Sequence, residues 1–407
     1  MLLKNYSSNR FILIILFLFF LLIIYFSESA YQSGDNYTHY LISHYSFKHP
    51  ELLLDHWGKP LFTLLTSPFA YFGFKSMKIF NLLIGLFACY QSSLIGKKLK
   101  YENSHLIFFF ISFSPIYYLL LNSTLTEVLF SALLIWLIQL YLEKKYTFCS
   151  LILSFLPFVR TEAVIYFPLF SIIFLYRKDW TSFFCLGIGA VCYSIIGYFI
   201  FNDFFWLINY LPYKVQTPFY GHGTIFHYLL KLPHILGPVS LIFFITGIII
   251  LFKKLKKQKN FDELLIFSLA FLFFAFHSIL WWQGWGGALG LLRIMGCIVP
   301  LLAIFALKGF NAFYLYIEKK QFKLYFKVSV IAAIIITPIS VIGLFYKYTA
   351  SEKTMITAIN WIESNGLSQR KFFARDPFAI FLLGKDRFDY SKSNFYLSKD
   401  EWIEPKS

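Results

Sequence analysis

Phe11-Ile12-Leu13-Ile14-Ile15-Leu16-Phe17-Leu18-Phe19-Phe20-Leu21-Leu22-Ile23-Ile24-Tyr25-Phe26 is an unbroken apolar run with no polar face to offer water. Coiled as a helix it rises about 24 Å, most of the way through a hydrocarbon layer roughly 30 Å thick. Lys4 and Arg10 precede it and Ser27-Glu28-Ser29-Ala30 follow. A secretory leader ends at a small-residue cleavage site, and Glu28 stands where a small side chain is needed. The run therefore reads as an uncleaved signal anchor.

The rest of the chain repeats this chemistry. Of 407 residues, 58% are hydrophobic, 22% aromatic and only 14% charged, where a soluble domain carries about a quarter charged. A net charge of +16 would suit nucleic acid if the lysines shared a face. They fall instead in short clusters between apolar runs, as topogenic signals do, and no nucleic-acid partner is expected. The five cysteines, Cys89, Cys149, Cys185, Cys192 and Cys297, lie in or beside apolar stretches without metal-binding spacing and read as packing residues.

Candidate spans are 11–27, 76–96, 105–121, 126–142, 147–159, 163–176, 181–201, 237–252, 261–281, 289–307 and 325–346. The pair 147–159 and 163–176 is short enough to be a hairpin of half-spans. With the N-terminus inside, every inner segment is basic: Lys4/Arg10, Lys97-Lys98/Lys100, Lys144-Lys145, Arg177-Lys178, Lys253 to Lys259, and Lys319-Lys320/Lys323. The expected fold is thus an all-α polytopic membrane domain over 1–346 with about eleven transmembrane helices. Residues 61–74 form a helix at the outer interface. Residues 347–407 form a small extracytoplasmic α/β appendage, with a helix near Thr357–Glu363 and a strand at Lys371–Ala374.

Ionisable residues at membrane depth are costly, so where they cluster carries information. In this topology Asp35, Glu51, Asp55, Glu127, Arg160, Glu162, Asp203 and Arg293 all fall at or just below the outer surface, as a cavity opening on that face requires. Asp35, in Ser33-Gly34-Asp35-Asn36, can take a proton from an attacking hydroxyl; the alternative is a helix cap. Arg160 can grip a phosphate bidentately with Glu162 orienting it, or the two can pair to close a turn. Arg293 follows the loop Trp281-Trp282-Gln283-Gly284-Trp285-Gly286-Gly287, too far into the next span for simple anchoring. Two guanidinium groups at one depth repel unless an anion lies between them, and a lipid phosphate is the candidate. His44, His49, Glu51, Asp55 and His56 match no standard metal-ligand spacing.

The order of these motifs resembles the GT-C superfamily of membrane glycosyltransferases, in particular the branch of protein O-mannosyltransferases and bacterial lipid A aminoarabinose transferases. The resemblance runs from an acidic first loop through Thr126-Glu127 and a central Arg-x-Glu to Arg293 with Pro300 beyond it, and covers residues from about 10 to 390. The family's Arg-Pro-Glu-Gly stands here as Arg160-Thr161-Glu162-Ala163, and its Arg-Tyr as Arg293-Ile294. The resemblance implies Asp35 as catalytic base and Arg160 and Arg293 as donor phosphate ligands. Glu127, Glu162, Asp55, His56 and Lys59 are expected to support them. Many relatives carry a second acid next to the first; Asn36 replaces it here, which leaves the base role on Asp35 alone and gives no indication of a divalent metal. The implied activity is transfer of a sugar from a polyprenyl-phosphate donor to a hydroxyl of a glycan, lipid or protein, at the outer face of a bacterial inner membrane. A glycan polymerase or ligase of the O-antigen kind is the alternative, distinguished by an essential 202–236 loop and an inert Asp35. A lipid-linked glycan transporter would need polar groups spread through the membrane depth.

Overall fold

The computed structural model describes residues 2–211, 220–255, 261–368, 370, 372–374, 376–389 and 393–394. Lys256, Lys257, Lys259 and Lys371 lie outside them. Helices account for nearly all regular structure; among the described residues the strands are one two-residue parallel pairing, Phe372–Phe373 with Ser393–Asn394.

Among the described residues seven helices are long and apolar enough to cross a bilayer: Asn9–Phe26, Phe74–Lys98, Trp180–Phe201, Pro238–Leu255, Phe261–Gln283, Leu292–Tyr316 and Lys320–Ser340. The chain is an integral membrane protein. Each of the eleven apolar runs holds helix, but not always one straight crossing. Residues 105–121 break into Ser104–Ser112 and Pro115–Leu121, bent by 77°. Pro115 explains the break: its ring forces the preceding residue out of helical conformation, and Ser114 is extended. The helices Glu127–Leu142, Tyr146–Phe158 and Thr161–Tyr176 are shorter than the roughly 20 residues a bilayer needs.

Leu292–Tyr316 is the central helix, 89% of its apolar window buried within the protein, against 17% for the peripheral Lys320–Ser340. Gly247 and Gly309 bring Pro238–Leu255 against it backbone to backbone. A Cβ at Gly309 would lie 1.9 Å from the Phe243 carbonyl oxygen, and one at Gly247 2.0 Å from that of Phe305. Close approach of this kind is how helices associate without a hydrophobic driving force between them. Lys308 on the central helix pairs with Glu263, which also accepts from the Tyr101 hydroxyl at 2.7 Å.

The first loop folds into Ser33–Tyr45 and Pro60–Tyr71. Their facing hydroxyls form a seam, Ser43 with Thr66 at 2.8 Å and Ser46 with Ser67 at 2.6 Å, while Leu64, Leu65 and Tyr71 stay exposed. The C-terminal segment is seated on this loop. Phe378 and Phe381 pack on Tyr37, which stacks on Phe74. The tail helix Ala350–Ser364 opens on a capping box of Thr349 and Glu352, and Glu352 also accepts from Ser29 at 2.7 Å.

Candidate active site

Asp35 lies in the first turn of Ser33–Tyr45, where the helix dipole favours a carboxylate. The residue at the cap is Gln32, with left-handed backbone and no side-chain cap hydrogen bond. Asp35 is therefore not the cap; its Oδ2 meets Arg293 Nη2, and its side chain is 42% exposed. Asn36, beside it, is fully buried. Its Oδ1 accepts from the Thr124 amide at 2.6 Å while its Nδ2 donates to the carbonyl of Tyr31 at 2.6 Å and that of Gln32 at 3.2 Å. A carboxylate cannot donate, so the position suits an amide, and it ties the Asp35 helix to the 122–125 connection.

Glu127 begins Glu127–Leu142 and its side chain is 2% exposed. Arg160 Nη1 lies 3.0 Å from Glu127 Oε1 and 3.1 Å from Thr126 Oγ1, and its Nη2 lies 2.8 Å from Glu162 Oε1. Arg293 Nε lies 3.4 Å from the same Glu127 oxygen, without hydrogen-bond geometry. The two guanidinium groups thus converge, and the anion found between them is the Glu127 carboxylate. Arg160 also has the local Glu162 pairing read as an alternative from sequence.

Arg293 is delivered by a loop that glycine makes feasible. Gly290 has φ +63, and a Cβ there would come 2.7 Å from the Trp281 indole, so both backbone and space require glycine. Its carbonyl bonds His227 Nε2 at 2.9 Å, which joins the 220s segment to the tryptophan loop. Lys59 is buried with φ +67 directly before Pro60, a strained setting for a lysine.

A cavity of about 370 Å³ gathers these groups: Asp35, Lys59, Thr126, Glu127, Arg160, Glu162 and Arg293 line it, with His39, Trp57, Tyr228 and His277. Asp55 and His56 are not in its wall. Asp55 accepts from the Gly58 amide and shapes the turn, and the His56 ring packs on Trp206. Burial, assisted by nearby Lys59, lowers the His56 pKa. Sequence reading passed over His39 and His277. His39 sits four residues after Asp35, hence on the same helix face, stacked on Trp57 at 4.6 Å. Burial drives its pKa down to about 3, so it is neutral at physiological pH. His277 lies within the span Phe261–Gln283, and a polar ring inside a span itself marks a polar site. Glu127 Oε2, Arg160 Nε, Arg293 Nη1, His39 Nδ1 and His277 Nε2 are buried without a hydrogen-bond partner. Buried polar groups are normally satisfied, so hydrogen-bonding capacity is concentrated, unspent, around this cavity. Among the described residues no group of three or more His, Cys, Asp or Glu side chains has metal-holding geometry.

No protein-family model matches the chain, and no curated protein matches it in sequence. Solved structures that share its architecture include ArnT from Cupriavidus metallidurans bound to undecaprenyl phosphate. That alignment has a TM-score of 0.65 at 11% identity and covers 94% of this chain and 85% of that one. The apo state of the same protein aligns with a TM-score of 0.61 at 12% identity, covering 91% and 84%.

The chain has the fold of these ArnT structures.

On this frame a half-exposed carboxylate and two largely buried guanidinium groups share one cavity wall. Chemically, that arrangement can accept a proton at one point and stabilise phosphate charge a few ångströms away.

Proposed function

We propose that the chain is an inverting glycosyltransferase that moves a sugar from a polyprenyl phosphate to an acceptor hydroxyl. The observation that carries this reading is the cavity wall itself, with Asp35 at its accessible part and Arg160 and Arg293 buried behind. The acceptor oxygen attacks the anomeric carbon from the face opposite the phosphate. The new C–O bond forms as the bond to the phosphate oxygen breaks, the electron pair leaves with the phosphate, and the proton passes to Asp35. Arg160 and Arg293 stabilise the charge that develops on the leaving group. A lipid phosphate competing for Arg293 would also release Asp35 from its ion pair and leave that carboxylate to the acceptor.

The topology proposed with this reading has eleven crossings, counting the bent pair and the three shorter helices, with the N-terminus inside and the cavity at the extracytoplasmic face of a bacterial inner membrane. The acceptor is a glycan, lipid or protein hydroxyl, approached past the 202–236 loop and the tail.

The test measures undecaprenyl phosphate binding and melting temperature on the same purified Arg160→Ala and Arg293→Ala proteins. Both variants are expected to lose most lipid phosphate binding. Normal binding by both, with only a lowered melting temperature, would reduce the arginines to structural ion pairing.

A further inference from the structure

Glu127 is an unexpected neighbour for a phosphate site. Its carboxylate is buried, one oxygen lies 3.0 Å from Arg160 and 3.4 Å from Arg293, and the other has no hydrogen-bond partner. Any phosphate that reaches both guanidinium groups must approach this negative charge. With Glu162 on Arg160 and Asp35 on Arg293, each arginine already faces two carboxylates. The cavity's charges are balanced, Asp35, Glu127 and Glu162 against Lys59, Arg160 and Arg293, and Glu127, the carboxylate shared by both arginines, offsets part of their pull on an incoming anion, by more the more charge that anion carries.

The donor and the lipid product differ in just this respect. A sugar-bearing polyprenyl phosphate is a phosphodiester with one negative charge. Transfer breaks its bond to the sugar and leaves a monoester, which approaches two negative charges at neutral pH. Resting on the glycosyltransferase reading above, we propose that Glu127 is a positioning residue that selects against the product: its fixed charge tolerates the singly charged donor and drives out the more highly charged lipid phosphate. Removing the charge should then strengthen product binding more than donor binding, and product release should become slow. The opposite follows if Glu127 only holds the arginines in place, since loosening them weakens both ligands.

The experiment compares undecaprenyl phosphate with its methyl ester, a monoester and a diester on the same lipid, binding to the full-length purified protein at pH 8. Wild type is expected to bind the monoester no more tightly than the diester. Glu127→Gln should gain about tenfold in affinity for the monoester, with the diester changed much less, and Glu127→Asp, which keeps the charge, should stay close to wild type. A wild type that clearly prefers the monoester overturns the proposal without any variant, as does a Glu127→Gln protein whose monoester affinity is unchanged or weaker. If wild type binds neither lipid, the phosphate reading itself fails and this inference with it. If wild type binds both but the alanine variants of Arg160 and Arg293 bind them equally well, the same conclusion holds.

Discussion

At the scale of single residues, the site is a chain of opposite charges, Asp35 to Arg293 to Glu127 to Arg160 to Glu162, and each member is answerable to its neighbours. Asp35→Asn keeps size and hydrogen bonding but cannot take up a proton. It should fold and insert normally while transfer falls by about 10²–10⁴-fold, a drop to be read as turnover of well-expressed protein. Near-normal turnover would remove Asp35 from the chemistry. Arg160→Lys keeps charge but loses the planar fork that reaches Thr126, Glu127 and Glu162 together, so its transfer rate should lie between wild type and a nearly inactive Arg160→Ala. Asp35, Arg160, Glu162 and Arg293 were legible from sequence because charge at membrane depth is rare. His39 and His277 were not singled out, because a neutral imidazole among aromatic residues looks like core.

At the scale of elements, two short connections set the geometry. Asn36 fastens the Asp35 helix to the loop before Glu127, and so fixes where Asp35 stands relative to Glu127. Read along the chain, Asn36 is only the place where a second acid is missing; its partners at 124, 31 and 32 exist only in the fold. Asn36→Asp would turn a donor into an anion facing two carbonyls. A loss of about 1–3 kcal/mol in stability is expected, seen as a lowered melting temperature, and no loss would mean the joint is dispensable. Gly290→Ala adds a methyl 2.7 Å from Trp281 on a left-handed backbone. It should displace Arg293 and weaken lipid phosphate binding at little cost to membrane insertion, measured on the same purified preparation.

At the scale of the whole molecule, the tail is held to the first loop by aromatic packing on Tyr37 and by Asp386, which meets Lys48 at 2.7 Å and His49 at 2.8 Å. Burial alone would raise the Asp386 pKa, but hydrogen bonds from Lys48 and His49 outweigh it and hold the group below its usual 3.8. A carboxyl lowered in the folded state contributes stability above its unfolded pKa and loses it as pH falls through the folded value. The Asp386 charge is therefore in place at pH 7, and Asp386→Asn should be cut by protease faster than wild type there. Equal cutting rates at pH 7 would show that the aromatic contacts suffice. Sidedness has its own test: reporters fused after Lys100 and after Lys353 should report opposite sides of the membrane, and agreement between them would overturn the proposed span count.

Composition and hydropathy alone determined that this chain lives in a bilayer, because burying backbone in hydrocarbon demands long apolar helices and those are written residue by residue. The same economy of charge exposed the acidic first loop and the two arginines. Which groups touch was decided only by tertiary structure, since Glu127 opens one helix, Arg160 is the extended residue before Thr161 and Arg293 lies in another segment, and their meeting depends on how those segments pack. The bend at Pro115, the close contact of Gly247 with the central helix, and the left-handed turn at Gly290 belong to that packing. They act through three-dimensional closeness, which hydrophobic periodicity does not encode, and so the anion between the arginines became visible as Glu127 only once the helices were packed.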